Sequence, residues 1–449
     1  MSSRSRLQVI VLLLLGFFVV VRLFSGPPSP RGAIVFTKLD VRELRQQSFR
    51  VSERITVEID ATGSIDERRS GEVGLAAYPW ITRDDTGDVI WKMDNSNALQ
   101  EGSLAHVKGD QLVLEAGIYT LNFASYGQLL QRSRAPFWDD KRKWRVMIQS
   151  SENGDALQPI SGVLSMDSGE NIWEATAMGR NEKKEYYFEV LRPAELEIQA
   201  MGQLSSGDGF RTVDYSMIED AVSGQVVWYL SRDNTEWAGG AQENRVYEGT
   251  VGMQPGIYRA SVATDSRHNY GSWEANPPYD PDGWGINLSS PTRDRITTFD
   301  PWMQDEPVIA FMQVGDDARW ETTFTTSRTT PVMLHAMGEI TGPNNGYDFA
   351  WLEQLEDDGG ARTVWEMTYE NSVPAGGAQK NRKAVKVLIL EPGTYVLHYE
   401  SDGSHSFEHW NARAPDNQER WGVALFDIRE DGSEIMIIDS SSKSPAPVQ

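Results

Sequence analysis

The segment from Val227 to Leu288 overlays the segment from Val364 to Leu425 at one constant offset without a gap, and 21 of the 62 positions are identical. Trp228 falls on Trp365, Ala238-Gly239-Gly240-Ala241-Gln242 on Ala375-Gly376-Gly377-Ala378-Gln379, and Asn244-Arg245 on Asn381-Arg382. Pro255-Gly256-x-Tyr258 falls on Pro392-Gly393-x-Tyr395, and Trp284-Gly285 on Trp421-Gly422. An eroded third copy lies upstream, where Trp91, Gly117-x-Tyr119 and Trp144 precede Trp228, Gly256-x-Tyr258 and Trp284 at nearly the same spacing. Such a chain folds one unit at a time. A period as long as the stretch from Val227 to Val364 is that of an independent domain, not of a solenoid repeat that needs neighbours to complete its core. The 15 Trp, 15 Tyr and 15 Phe residues supply three cores, each large ring burying on the order of 150–250 Å².

The first thirty residues predict a cellular address. Arg4 and Arg6 precede an apolar run from Leu7 to Val21, and Arg22 and the Ser/Gly/Pro stretch from Ser25 end it. Residues 1–24 read as an uncleaved signal anchor or transmembrane helix with the N-terminus inside, and 25–32 as a linker. The bulky Val21-Arg22-Leu23-Phe24 offers no small-x-small cleavage site; a cleaved signal peptide shares the charge order and is the competing reading. The bulk of the chain is then extracytoplasmic, at a cell surface or in a periplasm. A net charge of −23 opposes binding to nucleic acid or to an anionic membrane surface. With no cysteine, disulfide scaffolds, thiolate zinc sites and cysteine nucleophiles are excluded.

Within a unit the pattern is that of strands. Glu185–Val190, Ala194–Ala200 and Gln225–Leu230 alternate or cluster apolar residues over strand lengths, and Gly, Pro and Asx residues punctuate them. Many short strands without a long amphipathic helix predict an all-β chain: three tandem antiparallel, jelly-roll-like β-sandwich repeats over 33–150, 160–290 and 305–430. Lys38 to Gln47 has the spacing of a short helix, and 440–449 the composition of a disordered tail.

The order Tyr187-Phe188-x-Val190, Leu196-x-Ile198-x-Ala200, Asp214-Tyr215, Asp220-Ala221-x-Ser223-Gly224-x-Val226-Val227 and Pro255-Gly256-x-Tyr258 resembles that of bacterial pre-peptidase C-terminal domains. The resemblance covers the stretch from Tyr187 to Tyr258 and its equivalents, a little over half of each unit. It departs after Tyr258 and Tyr395, where a further segment ending in Trp284 or Trp421 is added, and no protease domain accompanies the units. It implies a calcium-tolerant accessory β-sandwich that binds substrates or partners without performing chemistry.

The added segment holds the candidate site. Asp265-x-x-His268 and Trp273 in the second unit recur as Asp402-x-x-His405 and Trp410 in the third, directly past a strand and so in a loop. An Asp and a His three apart can hold a cation, with Asp265 and Asp402 as metal candidates, or a sugar hydroxyl beneath a stacking Trp. The same residues also suit an Asx turn whose imidazole hydrogen-bonds a backbone carbonyl, with the Trp packed over the sandwich end as a plug. In the first unit Tyr126 and Leu129 occupy the Asp and His places. The Ala-Gly-Gly-Ala-Gln-x-Asn-Arg run lacks the Lys-Ser/Thr of a P-loop and reads as a wide loop pinned by its Asn and Arg. No nucleophile elbow, His-Glu-x-x-His or Ser-x-x-Lys set occurs. Two function classes follow: a membrane-tethered, non-catalytic protein binding a glycan, a cell-surface polymer or a protein partner, and a hydrolase with Asp/His-lined loops. Repetition favours the first through avidity.

Overall fold

The computed structural model describes residues 32–67, 73–126, 141–160, 171–204, 214–304, 306–356, 358–428 and 435–443. The expected anchor over 1–24 lies outside them, as does all of its linker but Gly32. Among the described residues no helix is long and apolar enough to cross a membrane. The structure is all-β, its sheets antiparallel and forming several β domains, and the α-helix among the described residues is the four-residue turn Pro301–Gln304.

The chain forms two compact units. The first comprises the chain to Met166 with Ala238–Ala241 and Trp273–Pro281, and the second comprises the remainder. In the second unit one sheet orders its strands as Asn171–Ala175, Gly285–Ser289, Ala194–Gln203, Asn244–Met253 and Glu236–Trp237. Its companion runs Val226–Tyr229, Tyr215–Asp220, Gly256–Ala263, Lys183–Val190 and Ile296–Thr298. The third repeat copies both. Ile309–Met312, Gly422–Asp427, Thr330–Gly342, Asn381–Leu390 and Val373–Pro374 form one sheet, with Asn345–Gly346 as a sixth strand beside Thr330–Gly342. Ala361–Glu366, Phe349–Leu355, Gly393–Glu400, Arg319–Thr326 and Ile435–Lys443 form the other.

In the first unit the same pairings recur. Ala33–Phe36, Arg145–Ser150, Ile55–Glu67, Leu104–Leu114 and Leu99–Glu101 make one set, and Val89–Lys92, Val73–Arg83, Gly117–Ala124, Leu44–Val51 and Leu157–Pro159 the other. Pairing of Ile55–Glu67 with Val73–Arg83 joins them into a ten-stranded sheet.

Alternation sets which side chains face inward. Along Ala194–Gln203, Leu196, Ile198 and Ala200 are buried and Glu195 and Glu197 exposed. Both sheets of the third repeat feed one core: Phe324, Leu352 and Leu397 from one sheet meet Leu334, Val423 and Leu425 from the other. Trp91, Trp228 and Trp365 are buried opposite Ile81, Ile218 and Leu352. The Gly-x-Tyr motif has the same role three times. The hydroxyls of Tyr119, Tyr258 and Tyr395 donate to the carbonyls of Glu115, Gln254 and Glu391 at 2.9, 2.9 and 2.8 Å. Each ring stacks on a phenylalanine of the adjacent strand, Phe49, Phe188 or Phe324, with centroids 5.6 Å apart.

Three expectations change. Lys38–Gln47 is not a helix: Lys38 and Arg42 take positive φ, and Leu44–Gln47 already pairs with Leu121–Ala124. Cross-strand pairing here overrides a weak helical spacing. The limits expected at 150, 290 and 430 stop one strand short, because Leu157–Pro159, Ile296–Thr298 and Ile435–Lys443 close the second set of strands in each repeat. For the same reason residues 440–443 are strand rather than tail, paired with Arg319–Thr322; 444–449 lie outside the described residues.

The second and third repeats share a face inside the second unit. Ala221 and Phe299 pack with Met333, Val387, Ala424 and Phe426, flanked by Tyr187, Ile257 and Val385. The Tyr187 hydroxyl donates to the Val385 carbonyl at 2.9 Å. Trp302 meets Phe426 and His335 edge-on, at 4.9 and 5.4 Å, beneath the Arg420 guanidinium.

Candidate functional site

The two Asp-x-x-His loops are built alike. Asp402 Oδ1 accepts the Ser404 N–H at 2.9 Å and Asp265 Oδ1 accepts the Arg267 N–H at 2.7 Å, so each aspartate caps its own turn. The Asp402 N–H donates in turn to Asp348 Oδ1 (2.9 Å), and the Asp265 N–H to Asp214 Oδ1 (3.0 Å). The turn aims the histidine inward. His268 and His405 are 1% and 0% exposed, and their Nε2 atoms meet Asn244 Oδ1 at 2.9 Å and Asn381 Oδ1 at 2.5 Å. An asparagine oxygen only accepts, so Nε2 carries the proton and donates. Burial holds both imidazoles down to about 4, so they are neutral near pH 7. His405 is gripped edge-on by Trp410 and Trp421 at 5.2 and 5.8 Å, and the two indoles cross at 4.9 Å. His268 meets Trp284 in the same way at 5.6 Å, and Trp273 is buried.

Asn381 links this loop to the glycine run. Its Nδ2 donates to the carbonyls of Gly376 and Arg413, both at 2.9 Å. Gly377, at φ +70°, lies so close to the 410–416 loop that a Cβ there would stand 1.9 Å from the Ala414 carbonyl oxygen. Gly240, at φ +66°, faces the Pro277 carbonyl oxygen in the same way. Paired glycines are needed because backbone packs on backbone at a left-handed conformation. Arg382 completes the third repeat's joint, donating from Nε to Ser372 Oγ at 3.1 Å and lying over the Tyr369 ring at 4.4 Å. Arg245 donates to Thr235 Oγ1 at 3.1 Å in the second.

The arrangement differs from the one a ligand loop requires. Asp265 and Asp402 cap their turns, His268 and His405 face the interior, and each histidine is taken by an asparagine rather than converging with its aspartate on a common outer point. Among the described residues no group of three or more His, Asp or Glu is placed to hold a metal ion. At the limits of the first repeat's equivalent segment, Tyr126 is buried at the Asp position and the Trp144 indole donates to Ser64 Oγ at 2.7 Å. Leu129 lies outside the described residues.

Sequence reading took Asp214 only as part of a strand motif and did not single out Asp348. Both are buried, and burial raises them to about 7 and about 8, against the N–H donors that favour their charged forms. Asp348 Oδ2 also accepts the Trp421 indole N–H at 3.1 Å. They lie upstream of the ungapped overlay and slightly out of step with it, and their shared signal is an Asp just before an aromatic strand residue, Tyr215 or Phe349. The first repeat has buried Ala77 there.

A second region is set by strand register. On the outer face of the third repeat's second sheet, Trp351 lies opposite His398 and Phe349 opposite Glu400. The His398 imidazole stacks flat on Trp351, 4.5 Å away and 6° from parallel, with Nε2 3.2 Å from Glu353 Oε2. Burial lowers this histidine, against the pull of Glu353 and Glu321.

No family model matches the chain, and no curated protein matches it.

Proposed function

We propose that this chain is a membrane-tethered, extracytoplasmic protein that binds partners without catalysing a reaction. Three tandem jelly-roll-like β-sandwich repeats act as its modules. Their closing strands extend the modules to Pro159, Thr298 and Lys443. The packing of the second repeat's outer sheet face against the third, through Tyr187, Phe299, Met333 and Phe426, carries this reading. The contact between the second and third repeats is made by sheet faces, while the histidines of the repeated loops are turned inward. The faces therefore take the role that the Asp-x-x-His loops had in the sequence. Avidity from copies on one chain suits adhesion to a glycan, a surface polymer or another protein. The likeness to pre-peptidase C-terminal domains points the same way.

The test has two arms. Mass spectrometry of native material should find residues 7–24 retained; a first residue near Ser25 or later overturns the tether. Screening the full chain against glycans and extracted surface proteins, with a Trp351→Ala variant alongside, should give binding that the variant loses. Turnover of a glycoside or peptide substrate, abolished by changes at Asp265 or Asp402, would overturn the non-catalytic reading.

A further inference from the structure

The face around Trp351 has a counterpart inside the first unit that is already covered. Tyr78 and Trp80 stand opposite Ala124 and Asn122, as Phe349 and Trp351 stand opposite Glu400 and His398. Trp80 is fully buried because the 273–281 segment lies over it. Its indole donates to the Tyr279 carbonyl at 2.6 Å, its ring packs on Tyr279 at 5.9 Å, and the Lys92 ammonium sits 5.3 Å from the centre of the Tyr279 ring. Asn276 Nδ2 reaches the Leu75 carbonyl beside it at 3.4 Å.

The third repeat keeps the aromatic pair and changes its surroundings. By strand register Gln46 becomes Glu321, Thr82 becomes Glu353, Lys92 becomes Glu366 and Ala124 becomes Glu400. Arg319 lies opposite Glu400, with Lys443 on its other side in register at the edge of the face, and His398 replaces Asn122. Trp351 and Phe349 are only half-buried, and Glu366 is exposed. A covering segment of the 273–281 kind would place its side chain at the Tyr279 position over Trp351. Glu366 would then stand where Lys92 meets the tyrosine ring, and an acidic or neutral side chain would lie against carboxylates. A lysine or arginine there gains both the indole face and the carboxylates.

We propose that the Phe349/Trp351 face of the third repeat binds a basic loop of a protein partner, with one Lys or Arg seated between Trp351, Glu353 and Glu366. This rests on the binding reading above and names the partner's chemistry. The occupant is a protein segment because a protein segment covers the equivalent face of the first unit.

The full chain is titrated with two synthetic peptides, one carrying residues 273–281 as they stand and one with Lys at the Tyr279 position. Line broadening and shifts of the peptide resonances report binding. The Lys peptide should bind at least about fivefold tighter than the native one and weaken as salt rises. It should lose about tenfold or more in Trp351→Ala, and about threefold to tenfold in Glu366→Gln. Equal binding of the two peptides, no binding of either at millimolar concentration, or binding indifferent to Trp351→Ala overturns the proposal. A chain that fails these titrations yet shows Trp351-dependent binding of a neutral glycan or an acidic protein loses the basic-partner assignment and keeps the broader reading. Loss of both removes both.

Discussion

The first sheets of the second and third repeats have the same strand order and register, and opposite outer faces. In the second repeat that face carries Glu197, Gln199, Glu248, Thr250, Asn287 and Ser289. In the third, the same register places hold Met333, His335, Val385, Val387, Ala424 and Phe426. The inner faces are alike: Leu196, Ile198 and Ala200 answer to Val332, Leu334 and Ala336, all buried. The inner positions are fixed by a core that both repeats must build. The outer positions record what the sheet faces, water in one case and a neighbouring repeat in the other.

Exchanging residues across this comparison should give the largest effect. Phe426→Ser installs the second repeat's residue in the third and removes a buried ring from the shared face, at an expected cost of about 3–5 kcal/mol. The reciprocal Ser289→Phe adds a ring to a half-exposed site and should change stability by no more than about 0.5 kcal/mol. Denaturant melts of both variants check the pair, and equal costs would break the comparison.

The loop joints come next. His268→Ala and His405→Ala each leave a buried asparagine oxygen without its donor and should cost about 1–3 kcal/mol per site. Calcium and glycan titrations of the double variant should match those of the parent. A double variant that melts with the parent while losing calcium or glycan binding would restore the loops as ligand sites.

A smaller effect is pH dependence. Asp214 and Asp348 are raised in the fold from 3.8 to about 7 and about 8, so the native state holds protons that the unfolded state has released. Their contribution is present at low pH and is lost as pH rises through the folded values, by about 1.4 kcal/mol per unit for each group. His268 and His405, lowered from 6.5 to about 4, act in the opposite sense, destabilising as pH falls from 6.5 toward 4. Between pH 6.5 and 8 the carboxyls act alone, so stability should fall with rising pH, and Asp348→Asn should flatten the upper part of that fall. A pH-independent melt across this window would remove the effect. A single-bond loss closes the series: Tyr395→Phe forfeits the bond to the Glu391 carbonyl and should cost about 0.5–1.5 kcal/mol, with Tyr258→Phe equal to it in denaturant melts.

The repeat and its motifs were legible because they are inward-facing and joint residues, whose demands are local and identical in each copy. Pro-Gly-x-Tyr and the paired glycines read as turn or loop punctuation, and the Asn-Arg pair as the pin of the glycine loop; the pair does so from the first residues of a strand, Asn244–Met253 or Asn381–Leu390. The histidine direction was not legible. A turn of Asp-x-x-His type can present its imidazole either way, and the choice is made by Asn244 or Asn381, 24 residues upstream in each case. Nor was the shared face, since nothing in the local pattern around Met333 or Phe426 separates a side chain that meets a neighbouring repeat from one in its own core. Strand limits failed where the pairing partner decides: Leu44–Gln47 is strand because Gly117–Ala124 lies beside it.

The late closing strand of each repeat has a consequence for synthesis. Leu157–Pro159, Ile296–Thr298 and Ile435–Lys443 each pair with a strand from the start of their own repeat, Leu44–Val51, Lys183–Val190 or Arg319–Thr326. A nascent chain that has just emerged through Ser150, Ser289 or Asp427 has the first set of strands in hand but an open hydrogen-bonding edge on the second, the kind of edge that recruits other strands. The first two repeats are sealed by the residues that lead into the next, and the third by Ile435–Lys443. A fragment intended to fold alone should therefore end after Pro159, Thr298 or Lys443, and one cut at Ser150, Ser289 or Asp427 would be released with its seam unsewn.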